Sequence, residues 1–224
     1  MQTVFDVGAN VGQTAIDFST AFPDAEIHCF EPFGEAFQTL KKTVANLPNV
    51  KAVEIAFGAH AGRQVLCLNV ESVTNSLLPN APEANDFQPP GWAVAKGSTD
   101  IEVSTVDKYC DENRVHFIDL LKTDTQGYDL NVLRGAEQVV SCGKVAAILA
   151  EVLFTPLYAG QAYFPEIYDY LLERDFRLVN LYGVGPNAKK YVSWCDALFV
   201  QPDVLAERLA ETKRIDAFHG KPGT

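Results

Sequence analysis

The stretch Val4-Phe5-Asp6-Val7-Gly8-Ala9-Asn10-Val11-Gly12 restricts the folds open to this chain more than any other part of it. An apolar run holding one carboxylate leads into Gly8 and Gly12, and apolar residues then recur at helical spacing at Val11, Ala15, Phe18 and Phe22. The pattern predicts a strand, a tight turn and a helix. In open α/β sheets ligands bind at the carboxyl ends of the strands, which is where this turn falls. Gly8 lets the backbone take a positive φ and approach a ligand closely, and Gly12 allows tight packing of the helix start. A small molecule is expected there.

A dinucleotide would need the spacing G-x-G-x-x-G, which lays a pyrophosphate against backbone amides at a helix N-terminus. The chain has D-x-G-x-x-x-G instead. Asp6 and the loop carbonyls are expected to face the ligand with negative charge, which favours the ammonium and sulfonium of S-adenosylmethionine. The next strand, Ala25 to Phe30, runs into Glu31-Pro32, and a carboxylate at that place can accept both ribose hydroxyls. Asp6, Gly8, Asn10, Gly12, Glu31 and Pro32 are therefore the candidate cofactor-binding residues of this half of the chain.

With 224 residues, 47% of them hydrophobic and 21% charged, the chain fits one globular domain. A formal net charge of -11 opposes phosphate backbones and anionic membrane surfaces, so neither nucleic acid nor a membrane is expected as partner. Lys41-Lys42, Lys189-Lys190 and Lys213-Arg214 read as solvated faces. Cys29, Cys67, Cys110, Cys142 and Cys195 are odd in number, far apart and without a C-x-x-C pair, so neither a disulfide framework nor a zinc site is indicated. No signal peptide precedes the first strand and no apolar run of about 18 residues is present to span a bilayer. A cytoplasmic location follows as the expectation. The chain starts almost on its central strand, which fits a domain cut from a longer protein; the oligomeric state is left open.

Past Pro32 a second helix is marked by Ala36, Phe37, Leu40 and Val44, and a third strand by Val50 to Phe57, stopped by Gly58. Ala56 and Phe57 at its end could flank an adenine ring, and Phe57 could equally be core. Val65–Val70 and Ile101–Val103 read as a strand pair around a long excursion, residues 71–100, rich in Pro and Asn and carrying Trp92. Loops of this length are functional lids or disordered. We expect an irregular, exposed lid that shapes an acceptor pocket. Ser104 or Thr105 should cap a helix reaching Asn113.

The fourth strand, Val115 to Thr123, ends at Asp124, and a helix marked by Leu130, Leu133, Ala136 and Val140 follows. A fifth strand, Lys144 to Val152, is apolar almost throughout, as a central parallel strand should be, except that Glu151 stands at its carboxyl end. Strand-helix alternation followed by a closing strand pair, Phe176–Tyr182 and Asp196–Val200, predicts an α/β, doubly wound, mostly parallel seven-stranded sheet with one antiparallel edge and helices on both faces. Val204–Phe218 should form a last helix.

These residues resemble the FkbM-like S-adenosylmethionine-dependent methyltransferases, of the class I methyltransferase fold. The resemblance is carried by Phe5 to Gly12, by Phe30-Glu31-Pro32, by Leu121 to Asp129 with Val132 to Ala136, and by Asp196 to Val200. It implies O-methylation of a hydroxyl on a small-molecule acceptor, a sugar or a secondary metabolite. The chain departs from it at Gln126, where Glu is more usual, and near Tyr128, where Ala or Val is.

Methyl transfer is an in-line displacement, and an alcohol acceptor must also lose a proton. His28 falls inside a strand, His116 at the wrong strand end, His219 in the tail and His60 in a loop, so the base is sought among carboxylates. Asp124 and Glu151 are the candidate catalytic pair, with Asp124 also counted among the cofactor contacts. One could take the proton directly, its pKa raised by the other's charge. Alternatively the two could hold Mg²⁺. A plain helix-capping role for Asp124 is the bland alternative. Trp92, Tyr128, Tyr158 and Tyr163 are the candidate acceptor-pocket residues. Two competing functions share much of this pattern: a nicotinamide-dependent oxidoreductase, which lacks its phosphate-binding turn here, and a non-catalytic S-adenosylmethionine-binding module, which would need neither Asp124 nor Glu151.

Overall fold

The computed structural model describes residues 1–184, 191–207 and 210. In chain order the first half forms β1 (Thr3–Val7), α1 (Gln13–Ala21), β2 (Glu26–Phe30), α2 (Gly34–Thr43), β3 (Val50–Val53), β4 (Ala56–Phe57), β5 (Gly62–Asn69), α3 (Ala84–Phe87), β6 (Ala95–Ser104) and α4 (Val106–Asn113). The second half adds β7 (Ile118–Thr123), α5 (Asp129–Arg134), α6 (Glu137–Ser141), β8 (Val145–Leu153), α7 (Phe164–Leu172), β9 (Arg177–Tyr182) and β10 (Trp194–Val200). The helix expected over Val204–Phe218 coincides with helical residues at 202–207, and its remainder lies outside the described residues, as do Lys189-Lys190, Lys213-Arg214 and His219.

Seven strands make one sheet in the order β3-β2-β1-β7-β8-β10-β9. β3 to β8 run parallel, and β10 is antiparallel to both of its neighbours, so the reversed strand lies one place in from the edge. The chain winds outward from β1 to β3 and then returns to β7 on the other side of β1. That reversal opens a crevice between the carboxyl ends of β1 and β7. Side-chain alternation divides the core. Phe5, Phe30, Leu121 and Ile148 pack on one face, and Val4, Ile27, Leu120 and Ala147 on the other. All six residues of β7 are buried, as expected of a strand covered by helices on both sides.

Three local expectations change. The third strand is split, because Ile55 turns back to donate to the Val53 carbonyl and β4 then leaves to pair with β6 in a separate three-stranded sheet, β4-β6-β5. The helix after Asp124 breaks at Gly135, whose α-carbon lies directly against the Gly58 carbonyl with no room for a β-carbon. The excursion is neither exposed nor irregular throughout. β6 begins inside it, at Ala95, and Thr74, Ser76, Ala81, Ala84 and Ala93 are buried. Backbone hydrogen bonds from Ala81 to Leu157 and from Ala159 to Pro79 fasten it to the segment after β8. The predicted cap on α4 forms as expected, Thr105 Oγ1 accepting from the Lys108 amide.

Candidate active site

The turn after β1 is built as its glycines require. Gly8 (φ 85°) and Gly12 (φ 96°) both lie in the left-handed region. A β-carbon on Gly12 would come within 2.9 Å of Leu40 Cδ1 and 3.1 Å of Thr43 Cγ2, so this glycine lets α2 pack against the start of α1. Gly12 therefore serves the helix and does not line the crevice. The amides of Gly8 and Ala9 both donate to the Phe30 carbonyl at 3.0 Å, and the Asn10 amide donates to Glu31 Oε2 at 3.0 Å. Those three amides are already engaged within the fold, the opposite of a pyrophosphate-binding turn.

Glu31, buried at the end of β2, also accepts from the Phe33 amide through Oε1 at 2.8 Å. Each carboxylate oxygen keeps a lone pair for a ligand hydroxyl. Burial pushes its pKa up to about 7, against the two amide hydrogen bonds that favour the ionised form. Pro32, Ala56 and Phe57 line the same cavity of about 400 Å³, a volume typical of small-molecule sites. Phe57 is also core, its ring 4.6 Å from that of Phe30.

Asp6 does not line the cavity. It is fully buried on β1, in register with Lys122 on β7, whose Nζ stands 3.2 Å from Asp6 Oδ1 and 3.4 Å from Asp124 Oδ2. Alternation sends Lys122 and Asp124 to the same side of β7, so one lysine serves both acids. Burial raises the Asp6 pKa, and the attraction of Lys122 works against that rise. The carboxyl groups that line the crevice are those of Glu31, Asp124 and Glu151 instead.

Asp124 and Glu151 converge, as their neighbouring strand ends require. Gln126 Nε2 bridges them, 2.8 Å from Asp124 Oδ1 and 3.0 Å from Glu151 Oε2. Burial pushes the Glu151 pKa well up, and the nearby charges of Asp124, Asp129 and Asp196 push it further. Asp196 stands opposite Glu151 in the β10–β8 register, a neighbour that no sequence spacing discloses. Asp124 heads a turn but does not cap the helix that follows, since the cap of α5 has no side-chain hydrogen bond.

Trp92 and Tyr128 line the cavity. Tyr158 and Tyr163 do not. Tyr158 is buried behind it, its hydroxyl donating to Gln126 Oε1 at 2.7 Å, because the segment after β8 folds inward under the excursion. Tyr163 begins α7 at the surface with its ring exposed, and only its backbone takes part in the cap, the amide donating to Glu166 Oε2 at 2.9 Å. His60 and His116 are exposed, and His28 is buried against Tyr109, its Nδ1 2.8 Å from the phenol oxygen, so no histidine among the described residues reaches the cavity. Ser76, Gln88 and Trp194 line it without having been singled out from sequence.

Residues 6–178 match the model of the methyltransferase FkbM domain. The chain belongs to the FkbM methyltransferase family. The family assignment makes it an S-adenosylmethionine-dependent methyltransferase and leaves the nicotinamide-dependent alternative without support. This FkbM-family chain is 26% identical over 175 residues to the 2-O-methyltransferase NoeI of Sinorhizobium fredii, covering 75% of this chain and 70% of that protein. It is 26% identical over 159 residues to the methyltransferase sdnD of Sordaria araneosa, covering 60% of each. In fold it is similar to the fibrillarin/Nop5p complex structure (TM-score 0.50, 15% identity, 89% of this chain and 72% of that one). The Methanococcus jannaschii fibrillarin pre-rRNA processing protein is similar to the same degree (TM-score 0.50, 10% identity, 89% and 66%).

The carboxylate pair does not fit the Mg²⁺ considered for it. The place between Asp124 and Glu151 is taken by the Gln126 amide, whose hydrogens point at both acids, and no group of three or more His, Cys, Asp or Glu side chains among the described residues is arranged to hold a metal. No helix among the described residues is long and apolar enough to cross a membrane.

Proposed function

We propose that this FkbM-family enzyme methylates a hydroxyl oxygen of a small molecule, a sugar or a secondary metabolite, with Glu151 as the general base. The observation that carries this reading is the convergence of Asp124 and Glu151 on the crevice that Glu31 also faces. When bound, S-adenosylmethionine supplies a methyl carbon on positive sulfur. Glu31 would accept the ribose hydroxyls, Pro32, Ala56 and Phe57 would border the adenine, and Gly8 would leave room for the methionine end beside Asp124. Glu151 would take the proton of the acceptor hydroxyl as the acceptor oxygen displaces the thioether from the methyl carbon. A carboxylate whose pKa is raised by burial is a better base than an ordinary one. Asp124, held beside Lys122, attracts the sulfonium. Trp92 and Tyr128 border the acceptor. The five unpaired cysteines support a reducing, cytoplasmic setting.

Calorimetry with S-adenosylhomocysteine and NAD in parallel tests the donor assignment. S-adenosylhomocysteine should bind, and binding should be lost in Gly8→Val. Binding of NAD in its place would overturn the proposal.

A further inference from the structure

Gln126 occupies the centre of the acidic cluster. Its backbone is left-handed (φ 54°), which a non-glycine residue adopts only when its surroundings impose it. The surroundings are visible: the Gln126 carbonyl accepts from Ser76 Oγ of the excursion at 2.8 Å, and Gly127 (φ 85°) continues the turn. This conformation sends the side chain back over the ends of β7 and β8. Both hydrogens of the amide nitrogen are then used, one toward Asp124 and one shared between Glu151 Oε1 at 3.2 Å and Oε2 at 3.0 Å. The amide cannot turn over, because its oxygen would then face two acids. Its oxygen is instead held by the buried Tyr158 hydroxyl at 2.7 Å.

We propose that Gln126 is a positioning residue that clamps Asp124 and Glu151 together through its carboxamide, in the place a divalent cation would otherwise fill, and that Tyr158 locks it there. A neutral amide with two N–H groups performs what a cation performs between paired acids, holding them at a fixed separation, but without charge and without a loading step. The Ser76 and Tyr158 contacts tie the clamp to the two segments that cover the cavity, so the covered site and the aligned carboxylates form together. Replacing the amide by a carboxylate should reverse the arrangement: Gln126→Glu would present a third acid in place of two donors, a set that suits a hard cation.

The proposal rests on the reading of Glu151 as the base, and the test keeps the two apart. Mn²⁺ titration followed by electron paramagnetic resonance is performed on wild type, Gln126→Glu, and Gln126→Glu combined with Glu151→Gln, each shown to be folded by S-adenosylhomocysteine binding. Wild type should show no site, Gln126→Glu one bound Mn²⁺ per chain, and the double variant none. In Gln126→Ala, kcat on an acceptor verified with wild type should fall about 10²-fold, the cost of a misplaced reacting group, with the acceptor KM within about threefold. Mn²⁺ binding to wild type that Glu151→Gln abolishes, or a Gln126→Ala kcat equal to wild type, would overturn the clamp. Near-normal turnover in Glu151→Gln overturns the base assignment instead, and leaves the Mn²⁺ comparison to decide the clamp.

Discussion

The backbone carbonyl of Asp124 occupies the position that a β-carbon on Gly8 would take. The two residues end adjacent parallel strands, β1 and β7, and Asp124 is held there by its amide, which donates to the Val7 carbonyl at 2.9 Å. Any side chain at position 8 must therefore push the end of β7 away, in addition to straining a left-handed backbone. Gly8→Ala should lose at least about 2 kcal/mol of stability, within the range for a residue forced into such a conformation, and S-adenosylhomocysteine binding with it. Urea unfolding and calorimetry check this; a variant that unfolds and binds as wild type does would show that the strand ends are not packed as described.

Glu31 makes a pH-dependent prediction. Its folded pKa, about 7, stands above the ordinary 4.5, so the folded state holds a proton that the unfolded state releases between those values. The stability associated with the protonated form is complete below pH 4.5 and is lost as pH rises to about 7, up to about 3 kcal/mol for a shift of this size. Glu31→Gln should flatten that part of the urea-stability profile. Ligand binding should run the other way, since ribose hydroxyls donate to the ionised carboxylate. S-adenosylhomocysteine affinity should rise with pH through about 7 in wild type and stay level in Glu31→Gln, which at about pH 8 should bind about 1.5–3 kcal/mol more weakly. Equal affinities would remove Glu31 from the ribose site.

Lys122 pairs with both Asp6 and Asp124 from a buried position. Lys122→Met leaves a buried acid without its partner and should cost about 3–5 kcal/mol in urea unfolding. Asp6→Asn in addition should recover about half of that loss or more. A Lys122→Met variant within about 1 kcal/mol of wild type would contradict the pairing.

Much of this site could be read from the sequence because its parts are local. Gly8, Glu31, Asp124 and Glu151 each stand where a strand-like run meets turn residues, and an α/β alternation places all such ends on one edge. Asp6 was misplaced for a non-local reason: whether a strand acid faces the crevice or the interior depends on its cross-strand partner, here Lys122 on a strand more than a hundred residues later. A lysine within an apolar strand, two positions before Asp124, was the available signal. Tyr158 could not be distinguished from a surface aromatic, because its burial depends on how the excursion closes over it. Gly135 and the departure of Ala56-Phe57 to a second sheet depend likewise on backbone contacts with Gly58 and β6.

The central claim is that Glu151 does chemistry while Glu31 holds the donor. Glu151→Gln keeps the side chain's size and its capacity to hydrogen-bond Gln126 but removes the base. The most direct measurement is therefore kcat of Glu151→Gln on a verified hydroxyl acceptor, with the S-adenosylhomocysteine dissociation constant determined on the same preparation. We predict a fall in kcat of about 10²–10⁴, the range for losing general-base assistance, with the dissociation constant changed by less than about tenfold. Turnover near that of wild type, or a loss of turnover fully matched by a loss of S-adenosylhomocysteine affinity, would contradict it.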